Sequence, residues 1–236
     1  MKFFKTSVIA LTFLTGSLSS FAQTAEEIVS KHLTAIGGES KWKTINTLKL
    51  TGAMSAQGME MPITLTQVHN KAMRMDITIM DMANYQILTK TEGWVYFPIQ
   101  QQQKPEPMTA DQVKDAQDQL DIQDELVDYK AKGSKIEFLG KDDMEGTEVF
   151  KVKLVNKEGK EKTLFFDIAN YYLIREIDKV KADGKEQEMA TNFSNFQKLP
   201  EGIVMPMSIE TPMGPMTIKA VEVNPKVDEN IFKPAN

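Results

Sequence analysis

The sequence predicts a mainly β fold with α elements, in which an unclosed antiparallel β-barrel of about eleven strands carries helices over its mouth. Apolar and polar residues alternate with period two in most segments between residues 48 and 223, and turn residues separate these segments. This pattern is typical of antiparallel strands. Helical patterns occur at only two places. Because the apolar residues of each strand mostly share one face, we expect the sheet to curl around its apolar side.

The stretch from Met59 to Met82 shows this alternation most clearly. Met73, Met75, Ile77 and Ile79 share one parity and are separated by more polar residues, so this strand has one apolar face and one polar face. Methionine is unusual there, because strand cores favour β-branched side chains. Its flexible thioether suits a surface that adapts to apolar ligands of different shapes, and it also fills gaps in an ordinary core. Both interpretations stay open at this point.

The first hairpin is predicted from its turn. A two-residue loop at Gln57-Gly58 would set Met54 opposite Met61 and Leu50 opposite Leu65. Glycine at the second loop position suits the positive φ that such hairpins need.

The next hairpin needs a loop with an odd number of residues. A loop of Asn70-Lys71-Ala72 would place Gln67 opposite Met75 and Leu65 opposite Ile77. A two-residue loop would turn threonines toward the apolar side instead, because a shift of one residue reverses every side chain. We therefore predict one continuous apolar face over the first three strands.

A further hairpin is predicted in the second half of the chain. The three-residue loop Lys157-Glu158-Gly159 would set Val152 opposite Leu164 and Phe150 opposite Phe166. Glycine at the third loop position is typical of bulged hairpins of this length.

Capping residues predict the two helices. Thr24 and Glu27 form a capping box before the first helix, and Gly37-Gly38 ends it. Thr109, with Gln112 three residues later, begins a second helix that we expect to extend to residue 121.

The second helix carries a narrow apolar stripe, which consists of Val113, Ala116 and Leu120. Seven acidic residues and one lysine lie between residues 111 and 128, and we expect these acids to form a solvated face. A stripe this narrow buries little surface, so the helix should be among the least stable elements. A movable lid with an acidic outer surface is the functional interpretation.

The first residues are typical of a secretory signal peptide. In residues 1–22, two lysines precede an apolar stretch from Val8 to Leu14, and small residues at Ser20 and Ala22 predict cleavage before Gln23. The rest, residues 23–236, has the length of a single domain. It contains no cysteine, so an exported chain would depend on its core rather than on disulfides.

Composition and motifs argue against several function classes. With 28 basic and 33 acidic side chains, nucleic acid is not an expected partner. The two histidines, His32 and His69, belong to no catalytic or zinc-binding motif, so we expect no enzyme, no cofactor and no metal centre. Four Met-x-Met pairs leave Cu(I) handling as a less favoured alternative, since thioethers bind Cu(I).

Several diffuse motifs resemble the LolA/LolB-like outer-membrane lipoprotein-sorting proteins, in the soluble periplasmic carrier form common in Bacteroidetes. The resemblance covers the chain after the signal peptide. The stretches that carry it are Ala25 to Val29, Ala35 to Gly38, Ile45 to Gly52, Gly146 to Leu154, Phe166-Asp167, Leu199-Pro200 and Val223 to Pro234.

The resemblance implies a hydrophobic cavity under helices and a role in carrying lipoprotein acyl chains across the periplasm, from an inner-membrane donor to an outer-membrane acceptor. In such carriers an arginine near the cavity mouth bonds the closed lid. This chain has only Arg74 and Arg175, and neither lies in a matching motif, so no latch residue is assigned.

The function expected from these observations is a monomeric periplasmic carrier of lipoproteins or other lipids. Its lid would consist of Val113, Ala116 and Leu120. The residues expected to line the acyl-chain site are Leu50, Met54, Met61, Ile63, Leu65, Met73, Met75, Ile77, Ile79, Val152, Leu154, Phe166, Met205 and Met207. The competing hypothesis is an exported, non-enzymatic β-domain with a filled core that docks a protein partner.

Overall fold

One large antiparallel sheet dominates the computed structural model, which describes residues 23–56, 58–182 and 185–235. The predicted signal peptide and its cleavage site lie outside these residues. The strands are β1 Thr47–Ala56, β2 Met59–Val68, β3 Ala72–Ile79, β4 Met82–Thr89, β5 Gly93–Tyr96, β6 Glu106–Pro107, β7 Lys135–Met144, β8 Thr147–Val155, β9 Glu161–Asp167, β10 Leu173–Ala182, β11 Lys185–Lys198, β12 Val204–Thr211 and β13 Gly214–Val223.

The strand order is β6-β5-β4-β3-β2-β1-β13-β12-β11-β10-β9-β8-β7. The sheet is unclosed, with β6 at one edge and β7 at the other, as the sequence predicts. The described residues contain thirteen strands rather than about eleven. The proline-rich segment after β5 returns to the sheet, where Glu106 and Pro107 pair with β5. Proline is tolerated there because β6 is an edge strand.

Three short helices accompany the sheet: α1 Ala25–Ala35, α2 Glu39–Trp42 and α3 Ala110–Asp115. The predicted capping box begins α1, where Thr24 Oγ1 accepts a hydrogen bond from Glu27 N at 3.2 Å. Among the described residues, no helix is both long and apolar enough to cross a membrane.

The predicted second helix is shorter than expected. Thr109 caps α3 as predicted, but the α-helix ends at Asp115 and a short 3-10 helix continues over Gln117–Leu120. Two further 3-10 helices lie at Pro98–Gln100 and Glu229–Phe232.

Two of the predicted hairpin registers are correct. In β1 and β2, Leu50 pairs with Leu65 and Met54 with Met61. In β8 and β9, the pairs Phe150–Phe166 and Val152–Leu164 form as expected.

The register predicted for β2 and β3 is wrong by two residues. The loop has three residues, as predicted, but it consists of residues 69–71, and Leu65 pairs with Met75 rather than with Ile77. Ala72 extends β3 because its side chain is buried against the outer face of the sheet. A shift of two residues preserves parity, so the continuous apolar face over β1, β2 and β3 is present.

We call the sheet face on which α1 and α3 pack the inner face. Its larger core joins α1, α2 and residues 122–127 to β8 and β9, and includes Ile28, Phe150 and Phe166. The other face, which we call the outer face, is partly covered near the C-terminus, where Phe232 packs on Tyr85 and Ile87.

Candidate functional site

The predicted ligand-binding residues are all buried or half-buried, and their strands place them on the inner face. On the half formed by β1 to β4, Leu50 faces Leu65, which faces Met75. The buried members of the predicted set are Met61, Ile63, Met73, Ile77, Val152, Leu154, Phe166 and Met207. The half-buried members are Leu50, Met54, Leu65, Met75, Ile79 and Met205. Ligand binding by these residues stays a prediction.

Eight of the fourteen predicted residues belong to, or pack against, one of two clusters. Val152, Leu154 and Phe166 belong to the larger core with α1. Met73 belongs to a smaller cluster with Leu88 of β4. The strand pattern predicts the shared face, but it does not predict this division, which depends on which helix covers which strands.

The predicted lid residues lie on the smaller cluster. We define the lid as residues 108–120. Val113 and Leu120, 6% and 2% exposed, pack with Met73 and Leu88, and Ala116 lies beside them. The lid therefore covers part of the methionine-rich strands, and its movement stays a prediction.

One backbone and one side-chain hydrogen bond hold the lid to the β2–β3 and β4 side of the sheet. Asn70 N donates to Leu120 O at 2.7 Å. Gln117 Nε2 donates to Thr89 O at 3.1 Å.

Lys160, in the β8–β9 loop, holds the lid on its other side. Its Nζ donates to Asp115 O at 2.8 Å and to Asp118 Oδ2 at 3.1 Å. Asn156 Nδ2 adds a long contact of 3.5 Å to Asp118. The lid thus connects two distant parts of the sheet, and its contacts with the β8–β9 loop are polar and accessible to water.

Neither arginine holds the lid. Arg74 lies on the outer face, where it donates to Asp76 and to Ile231 O and stacks on Tyr85 at 4.4 Å from the ring centroid. Arg175 pairs with Phe165 on the outer face of β10. The arginine latch that the resemblance implies has no counterpart among the described contacts of this lid.

Four ionisable side chains meet on the inner face near β9 and β10, and we call them the charged cluster: Glu125, Lys162, Glu176 and Asp178. Lys162 Nζ lies 3.2 Å from Glu125 Oε2, 3.8 Å from Glu176 Oε2 and 3.6 Å from Asp178 Oδ1. One ammonium therefore faces three carboxylates.

Burial and this excess of carboxylates shift the pKa values of Glu125, Glu176 and Lys162. Burial and the neighbouring Glu176 outweigh the attraction of Lys162 and raise the pKa of Glu125 to about 7. Burial also raises the pKa of Glu176. For Lys162, burial acts to lower the pKa, but the attraction of Glu125 and the other carboxylates prevails and raises it. Near neutral pH, Glu125 exchanges a proton while Lys162 stays charged.

The buried His32 joins α1 to Tyr171, which precedes β10, and to Asp124 of the acidic segment between residues 111 and 128. His32 Nδ1 lies 2.8 Å from Tyr171 O, and because a carbonyl only accepts, Nδ1 carries the proton. His32 Nε2 faces Asp124 Oδ2 at 3.7 Å. Burial acts to raise the pKa of Asp124, but His32 and the Leu126 amide lower it on balance.

The expectation that the acids between residues 111 and 128 form a solvated face was therefore wrong for part of that segment. Asp124 faces His32, Glu125 faces Lys162, and Asp121 pairs with Lys132. A sequence signal existed for the lysine, since Lys162 shares its strand parity with Leu164 and Phe166. Nothing local distinguished Glu125 from the exposed acids around it.

Two cavities accompany the described residues. The larger, about 530 Å³, is lined by polar residues of α1 and by Gln23. The smaller, about 130 Å³, lies among charged residues of β8 to β11. None of the predicted ligand-binding residues lines either of these two cavities.

The described residues include no group of three or more histidine, cysteine or carboxylate side chains that is arranged to hold a metal ion. In the Met-x-Met pair of β3, Met73 and Met75 pack with Leu88 and with lid residues, which include the thioether of Met108. Cu(I) handling stays an untested alternative.

No family model and no curated protein matches the chain. Solved structures do. A LolA superfamily protein from Nitrosomonas europaea is 12% identical, with a TM-score of 0.52 over 90% of this chain and 98% of the other. A domain named provisionally for outer membrane lipoprotein sorting, from Vibrio parahaemolyticus, is 13% identical, with a TM-score of 0.51 over 87% and 94%.

A DUF1329 family protein from Desulfovibrio piger is 12% identical and has a TM-score of 0.55, with 88% of this chain and 96% of the other covered. At such low identity, these likenesses show the fold alone. The fold is that of LolA superfamily proteins, an unclosed antiparallel sheet of the kind that the sequence predicts.

Proposed function

We propose that the protein is an exported, non-enzymatic carrier that binds acyl chains of lipoproteins, or of other lipids, and delivers them to the outer membrane. The observation that carries this proposal is the continuous methionine-rich inner face of β1 to β3 beneath a lid with only two fully buried apolar residues. The fold shared with a LolA superfamily protein and with a domain named for lipoprotein sorting adds support.

Magnitudes favour displacement of the lid by a ligand. Exposing Val113 and Leu120 costs about 1.5–3 kcal/mol for each side chain. An acyl chain of about sixteen carbons gains roughly 10 kcal/mol on burial, at about 0.8 kcal/mol per methylene, before ordering costs. The ligand therefore outweighs the lid, and the closed state is the empty state of the carrier.

The finer parts of the proposal follow from the same role. Residues 1–22 would direct export and be removed before Gln23, which would leave a monomeric protein in the periplasm. An inner-membrane protein would supply the cargo and an outer-membrane protein would accept it.

The test is a pair of substitutions on β3. Met75 is half-buried on the inner face, and Thr78 is exposed on the opposite face of the same strand. We expect Met75→Asp to abolish uptake of a fluorescent fatty acid and Thr78→Asp to leave it unchanged. Equal uptake by both variants and the wild type would reject binding on this face.

One observation favours the competing function. Because the inner face is filled by the lid and lines neither cavity, the protein could be a β-domain with a permanent core that docks a partner. Non-denaturing mass spectrometry of the protein from its native periplasm separates the two. Bound lipid supports the carrier, whereas a lipid-free mass without uptake of added lipid supports the docking domain.

A further inference from the structure

Four methionines are exposed among the described residues, and we call the three that lie at hairpin tips, all but Met189, the methionine rim. Met59 is 44% exposed, and Met80 and Met213 are each 69% exposed. Single exposed apolar residues are ordinary on protein surfaces. These three are informative because each lies at the tip of a different hairpin.

The strand order places the three tips side by side. The hairpins β3–β4, β1–β2 and β12–β13 follow one another in the sheet, and all three turn at the same end of it. Register brings their tips to nearly equal height. Met54 pairs with both Met61 and Met216, and Ile63 of β2 pairs with Ile77 near the end of β3.

The rim continues into the inner face. Met59 has the same strand parity as the buried Met61. Behind the tips lies a half-buried row on the same face, since Met216 pairs with Met54 and Met82 pairs with Ile79. Methionines and isoleucines thus extend from solvent to the buried face, at the end of β3 opposite to the lid contact at Met73.

Local conformation at Met80 adds a second, independent observation. Met80 and Asp81 form the two-residue turn with φ values of 49° and 61°. Glycine and asparagine are preferred at such positions, and a bulky residue there is strained. A methionine that is both strained and exposed does not stabilise the fold, which favours a role in contacts with another molecule.

The charges around the rim favour an uncharged apolar partner. Glu60, next to Met59, is paired with Lys219 at 2.5 Å, and the chain as a whole is acidic. Attraction to anionic lipid is therefore not the driving force. At the β3–β4 tip the exposed Asp81 follows Met80, and a zwitterionic surface tolerates this charge better than an anionic one. Separate flexible apolar tips suit insertion between lipid headgroups.

We propose that the methionine rim docks the protein on a zwitterionic lipid bilayer. This inference rests on the proposed carrier function. In that function, an acyl chain would pass between the bilayer and the inner face along this row of methionines and isoleucines, without crossing water. Insertion of one methionine side chain strengthens partitioning by about tenfold.

The test is co-sedimentation of the full exported protein with phosphatidylcholine vesicles. We expect the wild type to bind, with little dependence on added salt. The triple variant Met59→Gln, Met80→Gln, Met213→Gln should lose binding by at least a hundredfold. The matched control is Leu139→Gln, because Leu139 is 45% exposed on the edge strand β7, and it should bind like the wild type.

A wild type that does not sediment with vesicles overturns the inference, as does a triple variant that still binds. Sedimentation of the wild type without vesicles, abolished in the triple variant, would overturn it in favour of a second copy of the chain as the partner. Circular dichroism checks that the triple variant is folded.

Fatty-acid uptake from an albumin complex, measured in parallel, separates the two proposals. Intact uptake with lost vesicle binding in the triple variant supports the rim as the docking surface. Vesicle binding without uptake in the wild type rejects the carrier function and leaves the rim as a membrane contact.

Discussion

The two halves of the inner face differ in how they are covered. On β8 and β9, α1 contributes buried residues along its whole length and joins Leu126 and Val127 over Phe150 and Phe166. On β2 to β4, the lid contributes only Val113 and Leu120 as fully buried residues. The first half is a permanent core. The second half has the same apolar character, but its cover has fewer buried residues, and the proposed function requires this cover to open. We call the two the permanent half and the removable half.

The side chains differ in the same direction. The permanent half uses phenylalanine, leucine and valine, which pack in few rotamers, whereas the removable half is rich in methionine, which adapts to different neighbours. One continuous sheet can therefore contain a rigid half under α1 and an adaptable half under the lid.

The largest effect should come from the permanent half. Phe166→Ala removes a fully buried ring from the core, and we expect a loss of about 3–5 kcal/mol in the free energy of unfolding, measured by urea denaturation. The control Phe193→Ala removes a half-buried ring of β11 and should cost clearly less. Equal losses would show that burial in the larger core does not set the cost of removing Phe166.

The charged cluster should make the permanent half sensitive to pH. The pKa of Glu125 is raised from its ordinary 4.5 to about 7, so the folded state binds this proton more tightly than the unfolded state. Its stabilising contribution is present below pH 4.5 and is lost as pH rises to 7. Complete burial would make this loss about 3 kcal/mol, but a third of the Glu125 side chain is exposed, and we expect about 1–2 kcal/mol.

Glu125→Gln removes the titrating group, so it checks this prediction. The variant should be more stable than the wild type above pH 7 and similar to it below pH 4.5 in urea titrations. A stability difference that does not change with pH would exclude Glu125 as the cause.

On the removable half, Leu120→Ala should act locally. We expect the free energy of lid opening to fall by about 2–3 kcal/mol. The amides of residues 109–120 should then exchange hydrogen about 30- to 150-fold faster. The urea midpoint should change little because the lid is not part of the larger core. Gln119→Ala, at an exposed neighbouring position, is the control. A shifted urea midpoint in Leu120→Ala would place the lid within the cooperative core.

The smallest effect should come from Lys160. Lys160→Met keeps the length of the side chain but removes its bonds to Asp115 and Asp118. Because Lys160 is 39% exposed, we expect less than about 1 kcal/mol, seen as fatty-acid uptake that is a few-fold faster. Lys157→Met, in the same loop but bonded only to Glu158 among the described residues, should leave the rate unchanged. Slower uptake in Lys160→Met would mean that the lysine helps binding rather than closure.

Sequence reasoning predicted the strand register correctly at two short turns. Parity and turn chemistry predict the pairs Met54–Met61 and Val152–Leu164, which form as expected. The β2–β3 hairpin shows the limit of this reasoning, because parity allows registers that differ by two residues, and the burial of Ala72 on the outer face selects between them.

The rest of the site depends on long-range packing. The lid stripe was visible as Val113, Ala116 and Leu120, but its attachment to Lys160 joins segments far apart in the chain. The burial of Glu125 depends on its neighbours in β9 and β10. A single sequence gives no local signal for such contacts, because the same acidic residues would suit a solvated helix equally well.

The strand order has a consequence for how the chain folds. Every pair of neighbouring strands is consecutive in the sequence except β1 and β13, so two meanders, β1 to β6 and β7 to β13, can each form from nearby contacts. Only the pairing of residues such as Leu48 and Val223 joins them, and it closes a loop of nearly the whole chain. Since distant contacts are slow to form, this seam should be the last part of the sheet to gain protection during refolding.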